Sequence, residues 1–320
     1  MFRFIFIIII FFSHVAVSSA DIVKKDYNLL NNKLTVVIDS GNPPDEVFKK
    51  IAKTLNYIES ILDPSNSDSF VNKFNNLEKN SEILAPDLFV DAFRIMLDYN
   101  KITKKSFDPT TFSLLSTVSS LEGVSSRLKS DLFIKCMDIN NIEVKITNVF
   151  SKKYACTKVS FDSIIDGIVV QNIKHSLEIL QINSYSIKFG NTFYSRNFNK
   201  LSNEFDLETK GALDAARVRL KVLDSYSFLV NSNNKIKTYN INLKKNQISL
   251  NNDFFVIVAS NSPVNNSILA NSLNLVDYSI FAEDLYSKKI PLIIVYKDSG
   301  KYIVRYSKSF EPFFDNRTRD

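Results

Sequence analysis

Three groups of residues in this chain have the types and spacing for chemistry. The run Lys105-Ser106-Phe107-Asp108-Pro109-Thr110-Thr111 sets one carboxylate beside two hydroxyls. Such a run suits either a polar site or a helix-entry turn, with Asp as the cap and Pro at the first helical position. Asp162 and Asp166 are two carboxylates just before Gly167, a residue type that binds metal ions, though no supporting spacing marks them as ligands. Lys244-Lys245 would offer positive charge to an anion, or would simply be solvated. The rest of the inventory is a set of exclusions. Of the two histidines, His14 falls in an apolar leader, which leaves His175. A lone histidine removes both a His-based zinc site and a Ser-His-Asp triad. No catalytic nucleophile stands out.

The elements that must position these residues follow from apolar periodicity. Lys33–Ile38 is a strand-like run that stops at Gly41-Asn42-Pro43-Pro44. A helix is expected from Asp45, with Val47, Ile51, Leu55, Ile58 and Leu62 on one face, followed by a polar loop over Asp63–Ser69. A second helix opens at Pro86, carries Leu88, Ala92, Met96 and Tyr99, and ends shortly before Phe107. Phe112–Leu128 is apolar and serine-rich, with a helical reading. Strands are then expected at Leu132–Met137, Ile142–Val149 and Tyr154–Phe161, and a helix through Ile164, Ile168, Ile173, Leu177 and Leu180. Tyr185–Phe189 reads as a strand running into Gly190-Asn191. Asn197–Arg217 is polar without a firm pattern, and short strand-like runs follow at Arg219–Leu229 and Lys235–Ile248. Phe254–Ala259 reads as a buried strand. A helix over about 266–287 and a hairpin of Pro291–Tyr296 with Tyr302–Tyr306 close the chain. Helices and strands intermix without a βαβ rhythm, which predicts the α+β class.

The N-terminus reads as a targeting segment. Arg3 precedes nine uncharged apolar residues, Phe4–Phe12, and Ser18-Ser19-Ala20 supplies small residues for cleavage. The run is short for a membrane span, which takes about 20 apolar residues. An uncleaved N-terminal anchor with membrane association is the alternative. Cleavage would leave residues 21–320 as one domain, exported and periplasmic or membrane-anchored. Loss of Arg3 would take the formal charge of +6 to +5. The lysines are scattered, so a nucleic-acid groove is not indicated. Cys136 and Cys156 would either pair in an oxidising compartment or remain two buried thiols.

The order of these features resembles the ApbE family, the FAD:protein FMN transferases. The resemblance runs from about Ile38 to Tyr306. A long helix, Leu55–Leu62, precedes Asp68-Ser69 and Asn75, and a second helix leads to Thr103 and the family's FDPT run at Phe107-Asp108-Pro109-Thr110. The family's GIAKGYAVD run lies against Ser163–Gln171. It keeps Gly167, with Asp166 in place of Lys and Gln171 in place of Asp. A GGN-like turn keeps Gly190 and Asn191. Two of only six glycines therefore fall on family glycine positions.

Other parts depart from the pattern. The flavin run close to HIIDPKTG lies against Tyr239–Asn246, where His, Asp, Pro, Thr and Gly are all replaced. On the last helix the family carries an Asp and, four residues on, a Thr, both associated with the metal. One register places Asn266 and Ala270 there, and a one-residue slip places Ser267 and Asn271. The resemblance implies an ApbE-like flavin transferase fold, FAD as substrate, Mg²⁺ as the metal and a flavin-accepting protein as partner. It assigns Thr103, Phe107, Asp108, Pro109, Thr110, Asp166, Gly167, Gly190 and Asn191 to flavin binding. FMN transfer breaks a pyrophosphate, so it depends on positioning and charge stabilisation. Asp→Asn removes the charge that holds a cation, and Ala270 removes a hydroxyl. The replacements therefore imply weak or lost transfer. The alternative is an exported non-catalytic pseudoenzyme, a flavin-binding or protein-interaction module on the same fold.

Overall fold

The computed structural model describes residues 22–39, 45–103, 105, 107–111, 135–145, 148–197, 225–231, 239–242, 247–250, 254–273, 290–298 and 301–314. The N-terminal segment, the apolar stretch over 112–128 and Lys244-Lys245 lie outside these. Among the described residues, eight strands form one antiparallel sheet. They are β1 (Ile22–Leu29), β2 (Asn32–Asp39), β6 (Tyr185–Phe189), β7 (Thr192–Arg196), β8 (Ser225–Asn231), β11 (Phe254–Ala259), β12 (Leu292–Asp298) and β13 (Lys301–Tyr306). The spatial order is β1-β2-β6-β7-β8-β11-β12-β13. Smaller sheets pair β3 (Glu82–Leu84) and β4 (Ile142–Val144) with a central β5 (Val149–Lys152), and β9 (Tyr239–Asn242) with β10 (Gln247–Leu250).

The five helices among the described residues are α1 (Asp45–Leu62), α2 (Phe70–Asn75), α3 (Asp87–Ile102), α4 (Ile165–Ile179) and α5 (Pro263–Leu273). α4 packs on β6 and β7, α5 on β8 and β11, and the two helices pack against each other. The uninterrupted apolar run of β11 is explained by burial on both faces. Val256 and Val258 join the main core, while Phe255, Ile257 and Ala259 join a second cluster under Phe310. Leu292 and Ile294 against Ile293 and Val295 repeat the alternation in β12.

The strands Tyr185–Phe189 and Phe254–Ala259 and the closing hairpin stand where periodicity placed them. Five expectations need correction. The strand expected at Leu132–Met137 is not formed at its described end, where Lys135 and Cys136 are helical. The buried face of α3 is led by Phe89, Phe93 and Met96, with Leu88 and Tyr99 at its margin. An aromatic cluster turns the helix: Phe150 lies 5.3 Å from Phe89 and 5.2 Å from Phe93, ring centre to ring centre. Ile142–Val149 is a hairpin rather than one strand, because Asn148 takes a left-handed turn at φ +66°. Tyr154–Phe161 forms no strand. Its backbone is held by a side chain instead of a ladder, since Asn75 Nδ2 donates to Val159 O at 2.9 Å and Val159 N donates to Asn75 Oδ1 at 2.8 Å. α5 begins at Pro263 rather than near residue 266, at a position where proline's fixed φ suits a first helical turn.

Cys136 and Cys156 form a disulfide with 5.5 Å between their Cα atoms. Beside it, the buried Lys152 donates from Nζ to Asn75 O at 2.9 Å and Ala155 O at 3.1 Å. Burial pushes its pKa down to about 8, helped by the nearby Lys158. Sequence reading passed over Lys152. Lys152 falls between the expected strands Ile142–Val149 and Tyr154–Phe161, and nothing in the local pattern marks it as buried.

Candidate functional site

The segment Thr157–Ser163 is a hub on which the separated sequence motifs converge. Asn75 grips it at Val159. The turn at Asp108-Pro109 grips it next, through Ser160 N donating to Pro109 O at 3.2 Å. α5 grips it last, at the Ser163 carbonyl. Motifs 84 and 108 residues away in sequence thus share one short stretch of backbone.

The Phe107–Thr110 turn is built from the end of α3. Lys105 takes a left-handed φ of +67°, which stops the helix, and its N–H returns to Asn100 O at 2.8 Å. Thr103 Oγ1 accepts from Phe107 N at 3.0 Å, and Asn100 Nδ2 donates to Phe107 O at 2.7 Å. Buried Asp108 accepts from Thr110 N at 2.9 Å and Thr110 Oγ1 at 2.6 Å on one oxygen, and from Ile139 N at 3.0 Å on the other. Burial nevertheless raises its pKa above the usual carboxylate value, since desolvation outweighs those three bonds. These bonds tie Thr103, Phe107, Asp108 and Thr110 to one another and to Asn100 and Ile139, and they hold the turn in shape. Asp108→Ala would strand the buried Ile139 and Thr110 N–H groups. A loss of about 2 kcal/mol in urea unfolding is expected.

Gly167 and Gly190 also have packing reasons. At Gly190, φ is +51°, and a Cβ there would run into the Asp166 carboxylate. That carboxylate accepts from Asn191 N at 2.9 Å through Oδ2. The structure thus joins the α4 motif to the β6–β7 turn, pairing Asp166 with both Gly190 and Asn191. Asp166 keeps partial solvent exposure although protein crowds it closely. Burial first, and Asp162 second, push its pKa up to about 6, against the opposing Asn191 hydrogen bond.

The stability consequence has a definite sign. With a folded pKa above the unfolded value of 3.8, the folded state holds the extra proton between about pH 4 and 6. Its contribution is therefore fully present below about pH 4 and is lost as pH rises through about 6. Asp166→Asn keeps an oxygen for Asn191 N and removes the charge. It should raise the thermal midpoint at pH 8 by a few degrees, about 1–2 kcal/mol, and leave it nearly unchanged at pH 4. Thermal melts at the two pH values check this.

On α5, Asn266 is fully buried and saturated. Its Oδ1 accepts from Ser260 Oγ at 2.6 Å, and its Nδ2 donates to Ser260 O at 3.0 Å and Ser225 Oγ at 3.2 Å. Ala270 is buried and apolar. The other register is the one that faces the hub, for Ser267 Oγ lies 3.2 Å and Asn271 Nδ2 2.8 Å from Ser163 O. Neither register brings a carboxylate. These donor sets do not fit Mg²⁺, which needs hard oxygens with at least one negative charge among them. Elsewhere on the hub two buried hydroxyls, Ser163 Oγ and Thr157 Oγ1, have no hydrogen-bond partner. Sequence reasoning singled out neither, and nothing in their spacing marks them. Buried hydroxyls without partners are uncommon and leave polar valence for a ligand.

An antiparallel sheet with helices meeting over one short polar segment defines a class of α+β proteins. Residues 30–204, more than half of the chain, match the ApbE family. The chain belongs to the ApbE family. No curated protein matches its sequence. Among solved structures it is similar to the flavin transferase ApbE from Vibrio cholerae, with a TM-score of 0.77 and 15% identity over 92% of this chain and 99% of that one. It is also similar to the flavinyl transferase ApbE of Pseudomonas stutzeri in its apo form, with a TM-score of 0.78 and 16% identity over 92% and 97% of the two chains. The ApbE protein of Thermotoga maritima aligns with a TM-score of 0.71 and 14% identity over 92% and 100%. These likenesses bear out the ApbE-like α+β fold expected from the sequence.

Proposed function

We propose that this protein binds a flavin dinucleotide at the junction of α4, α5 and the β6–β7 turn, and that transfer of FMN from FAD to a protein hydroxyl is weak or lost. Membership of the ApbE family supports the flavin part. The observation that carries the second part is the α5 face. The α5 positions are neutral in either register of the family pattern, Asn266 and Ala270 in one and Ser267 and Asn271 in the other, and the second pair faces the hub.

The reaction would join an acceptor Ser or Thr oxygen to the FMN-side phosphorus and break the bond to the bridging oxygen, releasing AMP. Its transition state gathers negative charge on phosphoryl oxygens, and loss of one stabilising group costs roughly 10²–10³ in rate. In this chain the lysine position of the α4 motif is Asp166, whose charge has the wrong sign for that task. The α4–α5 joint and the β6–β7 turn are the flavin contacts in this reading, and the buried, unpartnered hydroxyls of Ser163 and Thr157 on the hub supply hydrogen-bond capacity. A fluorescence titration with FAD tests the binding part. Quenching that saturates near one flavin per chain is expected, and an unchanged signal up to millimolar FAD would remove the proposal. Export through the N-terminal segment, to the periplasm or as a membrane anchor, is part of the same proposal. A flavin-accepting protein is the partner if transfer survives.

A further inference from the structure

Ser267 and Asn271 stand one helical turn apart on α5, so their side chains share a face. Both reach the same atom, the Ser163 carbonyl oxygen, at 3.2 Å and 2.8 Å. A carbonyl oxygen only accepts, so the Ser267 hydroxyl must donate and Asn271 must present its NH₂ rather than its oxygen. The two donors fill both lone pairs of the one carbonyl oxygen. A divalent cation between them would need the opposite polarity, with three oxygens turned inward. Asn271 would have to reverse its amide, both hydrogen bonds would be lost, and no negative charge would be gained. Asp166, one turn further along from Ser163, is already engaged with Asn191.

The geometry points to a clasp in which hydrogen-bond donors occupy the place of a metal: Ser267 and Asn271 close α5 directly onto Ser163, and the site works without a divalent cation. The clasp fixes the start of α4, and with it Asp166 and the turn at Gly190. It is a property of the protein alone. Its corollary, that flavin binding is indifferent to Mg²⁺, rests on the function proposed above.

Thermal melts of the full chain in EDTA and in MgCl₂ test the clasp. The wild-type midpoint is expected to be the same in both, within about 1 °C. Asn271→Asp places a carboxylate against the carbonyl, so its midpoint should drop in EDTA and recover by about 5 °C at a hundredfold excess of Mg²⁺ over its dissociation constant. A wild-type midpoint that Mg²⁺ raises, with the rise abolished by Asn271→Ala, overturns the proposal. If Asn271→Asp does not fold, Mn²⁺ paramagnetic resonance on the wild type decides. An undiminished free-ion signal supports the clasp, and one Mn²⁺ bound per chain overturns it. FAD titrations in EDTA and in Mg²⁺ are read separately. Absence of flavin binding in both would remove the function proposal, while the clasp would still stand or fall on the melts.

Discussion

Gly167→Ala is expected to lower the unfolding free energy by about 3 kcal/mol, near the top of the usual cost of overpacking. A Cβ at this position would sit 2.5 Å from Pro263 O and 2.6 Å from Val264 Cα. Favourable contacts between heavy atoms begin near 3.5 Å, so both approaches are deep clashes. Both partners are backbone, and no rotamer change relieves them. Alanine gains about 1 kcal/mol over glycine as a helix former, which the clash exceeds. Relief requires α4 and α5 to separate, and separation pulls Ser267 and Asn271 away from Ser163. Urea unfolding should therefore show a lower midpoint with little change in slope, and FAD affinity should fall with it. An alanine variant as stable as the wild type would mean that the helices do not meet here.

Removal of the Cys136–Cys156 bond, by reduction or by Cys136→Ala with Cys156→Ala, is expected to cost about 3 kcal/mol. The bond closes a loop between residues 20 apart, for which the chain-entropy account gives a value of that size. The position adds a local consequence. Cys136 leads into Ile139, whose N–H is held by Asp108, and Cys156 adjoins Thr157 at the start of the hub. Reduction should thus loosen both the Asp108 turn and the start of the hub. Hydrogen exchange over residues 136–163 should rise more than over β11, and equal protection in both regions would show the bond to be incidental.

Much of the fold was legible because local pattern and tertiary role agree. The face of α1 and the Gly190 turn needed only periodicity and one glycine, and the run of β11 is apolar throughout because both of its faces are covered. The missed or misread segments depend on distant partners. Tyr154–Phe161 alternates like a strand, but its backbone is satisfied by the Asn75 side chain, which local pattern does not reveal. The face of α3 was set by phenylalanines from α2 and β5. At the site, the family motifs named Asp166, Gly190 and Asn191 separately, and the structure joins them. What they did not convey is that both oxygens of Asp108 are taken up, one by Thr110 and the other by Ile139. Nor did they show that Ser267 and Asn271, rather than Asn266 and Ala270, face Ser163.

The central claim is that this chain keeps the ApbE fold while its α5 face no longer supports efficient transfer. Incubation of the protein with FAD, Mg²⁺ and an acceptor-domain protein, followed by intact mass of the acceptor, tests it most directly. The expected result is an acceptor mass unchanged, or raised by one FMN in only a small fraction of molecules over hours, with FAD still bound by the enzyme. Rapid, complete addition of FMN to one Ser or Thr of the acceptor would contradict it.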